Sequence, residues 1–244
     1  MKTIGIVCEG PRDYDMITSV IMSFMEQEYN FLQLQPNMEF GMELGAGWKG
    51  VWHWCQTHSG YLAEFLSGIT PAIDLLIVQM DADVARCEKE AYCETIDIHC
   101  PAKETERFLS CKTAIDGRCE IPLPPNMKCD GSVQSRVDYL TGLLAGYLRS
   151  TEIPPIVITI PCDSTDAWIL AAFESQMQQI EDFPSPWHFI SKSKTYHGIR
   201  ISGHGKSRRT YLTLVEQVCR QWDKVTSVCT QAYAFERNVY AALQ

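Results

Sequence analysis

The sequence predicts an α/β fold, a parallel sheet flanked by helices, and three observations predict it. Short apolar runs rich in β-branched residues recur at "TIGIVC", "LLIVQM" and "PPIVITIPC". Segments with apolar residues at helical spacing separate them, which is the alternation expected of βαβ units. The runs are nearly continuous rather than alternating, as strands covered on both faces require.

Taken in order, Thr3 to Cys8 reads as a first buried strand that ends in the turn "EGPRDYD". Met16, Ile17, Val20, Ile21, Phe24 and Met25 then recur on one helical face. "NFLQLQP" is a short second strand, and "GWKGVWHWCQTHSGYLAEFL" reads as one helix with a stripe through Val51, Trp54, Tyr61, Phe65 and Leu66. Trp48, Trp52 and Trp54 fit core packing on such a helix better than a base-stacking platform. "LLIVQM" is the third strand. Residues 87–130 interrupt the rhythm with Cys, Pro and charge, and "EIPLPPNMKCDGS" suits neither a helix nor a central strand. This stretch reads as an insertion, helical around Thr105 to Cys111. Beyond it come a helix in "SVQSRVDYLTGLLAGYLR", the strand "PPIVITIPC" and a helix over "DSTDAWILAAFESQMQQI". Two final helices fit Ser207 to Trp222 and Cys229 to Leu243, with Ser207 as an N-cap. No internal repeat is visible, so residues 1–244 read as one domain with an irregular insertion, a basic loop and C-terminal helices from about 186.

No apolar run is long enough to cross a bilayer or form a signal-peptide core, so a cytoplasmic location is expected, without membrane association. In a reducing compartment the eleven cysteines are expected to be free thiols. Six of them, Cys87, Cys93, Cys100, Cys111, Cys119 and Cys129, crowd the insertion with His99. None of their spacings is the tight C-x2-C pair that presents two sulfurs to one zinc, so free thiols are favoured over a zinc site. The net charge of −9 argues against an acidic ligand, but the charge is polarised. Between Pro186 and Val215 there is no Asp or Glu, while Lys192, Lys194, Arg200, Lys206, Arg208 and Arg209 are all cationic. The strip is either a solvated basic loop or a surface that contacts phosphates.

Three strands finish in acidic turns: Glu9 and Asp13 after the first, Asp81 and Asp83 after "LLIVQM", Asp163 and Asp166 after "PPIVITIPC". In a parallel sheet the carboxyl ends of the strands lie on one edge, so these acids can converge. Converging carboxylates repel unless a cation neutralises them, and Mg²⁺ is held by a few carboxylates together with substrate phosphate oxygens. For Asp13, Asp163 and Ser164 a helix cap or first-turn role explains the residue equally well. For Asp81 and Asp83 it does not, because one cap needs only one oxygen. Cys8 reads as a small buried residue rather than a nucleophile.

These residues carry a resemblance. "IGIVCEGPRDYDMI" resembles the first motif of Toprim domains, a Glu-Gly turn after a buried strand, and "LLIVQMDADVA" is similar to their D-x-D motif. "IPCDSTDAWILAAF" resembles a strand-to-helix motif of small Toprim-like proteins encoded beside ATPases in bacterial antiphage defence. Together the motifs cover about a fifth of the chain. The resemblance, closest to the OLD-type nucleases, implies a Toprim-like, Rossmann-like sheet and a metal centre of Glu9, Asp81 and Asp83. Asp13 and Asp166 would be further ligands for Mg²⁺ or Mn²⁺. Asp13 stands where many relatives have Glu, and the Cys-rich insertion has no counterpart in the family pattern. A basic residue near the scissile phosphate is also implied, and Lys206 is the candidate, with Lys192, Lys194, Arg200, Arg208 and Arg209 contacting nucleic acid. The expected activity is phosphodiester cleavage in DNA or RNA, as an effector of a defence or toxin system with an ATPase partner. Two other classes fit the same residues. One is a non-catalytic subunit that binds nucleic acid or an ATPase. The other is a glycosyltransferase whose D-x-D holds a metal on a nucleotide-sugar diphosphate, although that leaves "CEGPRD" and the basic strip unexplained. A phosphatase of the D-x-D-x-T kind fits less well, since Val84 and Ala85 stand where Gly and Thr are expected.

Overall fold

The computed structural model describes residues 1–36, 45–85, 132–149, 153–174, 176–177, 179–201 and 206–244. The insertion at 87–130, with its six cysteines and its expected helix, lies outside the described residues.

Four strands, β1 (Lys2–Val7), β2 (Tyr29–Gln35), β3 (Leu75–Gln79) and β4 (Ile156–Thr159), form a parallel sheet in the order β2-β1-β3-β4. Every neighbouring pair is parallel, which requires crossovers. They are made by α1 (Pro11–Phe24) between β1 and β2, and by α2 (Gly47–His58) and α3 (Leu62–Ser67) between β2 and β3. α4 (Val133–Tyr147) precedes β4, and α5 (Asp166–Phe173) follows it. Strand side chains alternate between the two faces. Ile4, Ile6, Leu75, Ile77 and Val157 pack with α1, α5 and the C-terminal helices in one core. Val7, Leu76, Val78 and Met80 pack with α2, α3 and α4 in the other. The sheet is thus covered on both faces, which is why its strands read as continuous apolar runs.

Because β2 lies on one side of β1 and β3 on the other, the chain reverses its direction of travel across the sheet between β1 and β3. In open parallel sheets this reversal opens a crevice beyond the strand ends where ligands bind. "CEG" leaves β1 there and "DAD" leaves β3 there.

Several boundaries differ from the sequence expectation. The single helix expected from Gly47 onward is two, because Gly60 adopts a left-handed φ of 89° that ends the first and turns the chain. α5 stops at Phe173 rather than continuing to Ile180. Glu174 becomes extended, and its carboxylate accepts hydrogen bonds from Tyr196 Oη at 2.8 Å and His197 Nε2 at 3.0 Å. The two C-terminal helices are three, α7 (Arg208–Arg220), α8 (Trp222–Val228) and α9 (Thr230–Leu243). The break after Arg220 lets Trp222 stack on Phe24 and donate from Nε1 to Glu236 at 3.1 Å. Ser207 does cap α7, accepting from the Thr210 N–H.

The basic strip, expected as a loop, is largely ordered into elements. α6 (Pro186–Ser191) is followed by a hairpin of β5 (Thr195–Tyr196) and β6 (Ile199–Arg200), then by α7. His197 and Gly198 both have positive φ, 45° and 81°, the conformation of a two-residue turn that matches strand twist.

Candidate metal centre

Glu9 follows β1 by two residues, and its Oε1 accepts the backbone N–H of Asp81 at 2.7 Å. The Glu9 N–H in turn donates to Gln79 Oε1 at 3.1 Å, while Gln79 Nε2 donates to Asp81 Oδ1 at 2.6 Å. Gln79, the last residue of β3, is fully buried. Its amide therefore acts as a rigid bracket that fixes both acidic turns at once. Pairing of β3 with β4 also continues past the strand, because Met80 N–H donates to Thr159 O at 3.2 Å and Ala82 N–H to Pro161 O at 2.9 Å. Asp81 and Asp83 are consequently held on an extension of the sheet, Asp83 lying in the short 3₁₀ turn Ala82–Ala85 and donating its N–H to Asp163 O at 3.2 Å.

Asp13 and Asp166 approach from the first turns of α1 and α5. Neither is a cap. α1 starts from Gly10 without a side-chain cap, and Asp13 Oδ1 instead accepts from Thr165 Oγ1 at 2.7 Å. Asp166 is 2% exposed and pairs through Oδ2 with Lys206 Nζ. Asp163 is buried and receives the Ser185 N–H at 3.1 Å, which explains it as a loop anchor. The Lys206 ammonium lies 5.4 Å from the Trp187 ring centroid and 5.9 Å from that of Tyr211, so two aromatic faces help hold it over Asp166.

The charges of these side chains act on one another. Burial raises the Asp81 pKa well above the usual carboxylate range, and the charges of Glu9, Asp13, Asp83 and Asp166 raise it further. Asp13 is lifted to about 6, chiefly by burial, with Asp166 adding to the rise and Thr165 and Lys206 opposing it. Burial works against the Lys206 charge, but Asp166, Asp13 and Asp81 outweigh it and hold its pKa above the ordinary lysine value. Burial pushes the Cys8 thiol well up, with Asp13 and Glu9 adding to the effect, so it stays protonated and is no nucleophile.

Glu9 is thus joined to Asp81 through the Asp81 N–H, Asp13 to the start of α5 through Thr165, and Lys206 to Asp166. Lys192, Lys194, Arg200 and Arg209 are exposed and make no ion pair among the described residues. Arg208 is different, since its Nη2 donates to Asp15 Oδ1 at 3.0 Å. Sequence reasoning missed Gln79, Thr165 and the Arg12–Asp15 pair. Gln79 offered a signal, being the one polar residue in "LLIVQM", a place where a buried amide must find partners.

The donor set suits a hard divalent ion. It is all oxygen, and Asp166 Oδ1 is buried with no hydrogen-bond partner. Among the described residues no three His, Cys, Asp or Glu side chains already converge as a ligand set. Hydrogen bonds to Glu9, Asp13 and Asp81 and the Lys206 ion pair at Asp166 occupy part of their coordinating capacity. The chain matches no protein-family model, no curated protein and no solved structure.

Proposed function

We propose that this chain is a Mg²⁺- or Mn²⁺-dependent nuclease of Toprim type, hydrolysing phosphodiester bonds in DNA or RNA. The observation that supports the reading best is the juxtaposition of Glu9 and Asp81 where the chain reverses across the sheet, joined by the 2.7 Å hydrogen bond from Asp81 N–H. Glu9, Asp81 and Asp83 would hold the ion, with Asp13 and Asp166 available on its other side. A divalent ion bound there supplies an activated water and offsets charge on the phosphate. The chain's own contribution is to fix the carboxylates through Gln79 and the β3–β4 extension, so that little reorganisation is needed at the moment of reaction. Lys206 is the cation already at the centre, placed to offset negative charge on the cleaved phosphate. An ATPase subunit is the proposed partner, with antiphage defence or a toxin system as the setting.

The test is cleavage of end-labelled DNA and RNA in Mg²⁺, Mn²⁺ or EDTA, with the ATPase partner supplied where one is encoded nearby. Metal-dependent cleavage that disappears in Glu9→Gln and Asp81→Asn supports the reading. No cleavage under any condition, or variants that cut like wild type, removes it. A second reading, a regulatory subunit that binds without cutting, is favoured by the Lys206–Asp166 pair, which leaves part of the acid charge neutralised within the chain. Thermal stabilisation by Mg²⁺ without cleavage would select it.

A further inference from the structure

Beside the acid centre lies a second charged group that the metal reading does not use. Asp15, on the second turn of α1, is 5% exposed, and both of its oxygens are engaged by guanidinium groups. Arg12 Nη1 donates to Oδ2 and Arg208 Nη2 donates to Oδ1 at 3.0 Å. Arg12 also donates from Nε to the backbone carbonyl of Lys206 at 3.1 Å. One buried carboxylate therefore orients two arginines, and one of these is tied to the residue whose ammonium sits on Asp166. The side chain of Arg208 remains 67% exposed and that of Arg12 22% exposed despite these bonds. Each arginine carries five N–H donors, so most of the Arg208 fork and part of that of Arg12 face outward without a partner among the described residues. The group keeps one unit of positive charge in excess. It stands where α1 and α7 begin, so the amide dipoles of both helices add to its attraction for an anion.

We propose that Arg12 and Arg208, oriented by Asp15, form a phosphate clamp that holds a backbone phosphate neighbouring the one to be cleaved, and so select a polynucleotide over a mononucleotide. The clamp rests on the nuclease reading for the identity of the cleaved phosphate, but its binding is measurable without cleavage. Planar guanidinium forks match two phosphate oxygens at once. Orientation by Asp15 removes much of the entropy that a free surface arginine such as Arg209 would lose on binding.

The experiment is fluorescence anisotropy of a labelled single strand and a labelled duplex in EDTA, across a salt series, with thermal midpoints recorded for each variant. Arg208→Gln is expected to weaken binding about tenfold and to reduce the salt slope by about 1, whereas Arg209→Gln loses only about two- to threefold. Arg208→Lys keeps the charge and a partner for Asp15 but loses the fork, and should fall between wild type and Arg208→Gln with an unchanged midpoint. Asp15→Asn separates the clamp from a diffuse basic surface. It makes the protein more positive, which strengthens binding if charge alone matters, yet it releases both guanidiniums and should weaken binding if the clamp operates. Equal losses for Arg208 and Arg209, or tighter binding by Asp15→Asn, would overturn the clamp while leaving the cleavage test untouched. Clamp-dependent binding by a protein that never cuts would retain the clamp and remove the nuclease reading.

Discussion

The carboxylates that follow β1 and β3 and those that belong to α1 and α5 lie on one edge of one sheet, yet the chain compensates their charge by different means. Glu9 accepts the Asp81 N–H and Asp81 accepts from the Gln79 amide, both of them neutral donors. Asp166 receives a full ammonium from Lys206, and Asp13 a hydroxyl with that same ammonium near by. Neutral dipoles offset less of a buried charge than an ion does. The α1/α5 side therefore carries a counter-ion of its own at Asp166. The difference teaches that an incoming ion would reach Asp166 only as Lys206 yields it, a competition not shown at Asp81.

Substitutions that treat the two sides differently test this contrast. The largest effect is expected on cleavage: Glu9→Gln and Asp81→Asn should each lose at least about 100-fold, and Asp166→Asn markedly less, in single-turnover assays at saturating Mg²⁺. Equal losses would show that the sides are equivalent. Next comes stability. Lys206→Met leaves the buried Asp166 carboxylate without its counter-ion and should cost about 2 kcal/mol in urea unfolding, less than a fully buried pair because the lysine is partly exposed. Adding Asp166→Asn should recover most of that loss. A double-mutant cycle with no coupling would break the comparison. Gln79→Leu is near in volume but removes the bracket, for an expected cost of about 1 to 2 kcal/mol and roughly tenfold in metal affinity.

The last expected effect is on pH dependence. Asp13 ionises near 3.8 ordinarily and about 6 in the fold, so the folded protein retains a proton that the unfolded chain releases. Its stabilising contribution is full below about 4 and is lost as pH rises through about 6. Thr165 and Lys206 moderate the shift. The metal-free melting temperature should fall more steeply in wild type than in Asp13→Asn between these limits. Parallel curves would place Asp13 outside the shared charge field.

The sheet was legible because each buried strand writes an apolar run, and the acidic turns were legible because they interrupt those runs. Asp81 and Asp83 stood out for that reason. Gln79, one residue inside the boundary, looked like a tolerated polar residue until both of its partners were in place. The helix ends were harder to read. Phe173 ends α5 because Glu174 is claimed by the distant hairpin, and Trp222 breaks the C-terminal helices to reach Phe24. Local spacing carries no record of either partner. The basic strip showed the same limit. Its charge was plain, but that Lys206 turns to Asp166 and Arg208 to Asp15, while Lys192 and Arg209 stay in solvent, follows from helix positions.

The sequence by itself determined an alternating α/β chain with acids at strand ends and a cationic segment near its end, since periodicity and composition are local properties. Only the tertiary structure decided that Glu9 and Asp81 share a hydrogen bond across seventy-two residues of chain, that Asp166 is neutralised within the protein, and that Asp15 orients two arginines. The reason is physical. The energy of a charge depends on what surrounds it in space, and in this fold those surroundings come from strands and helices far apart in the chain.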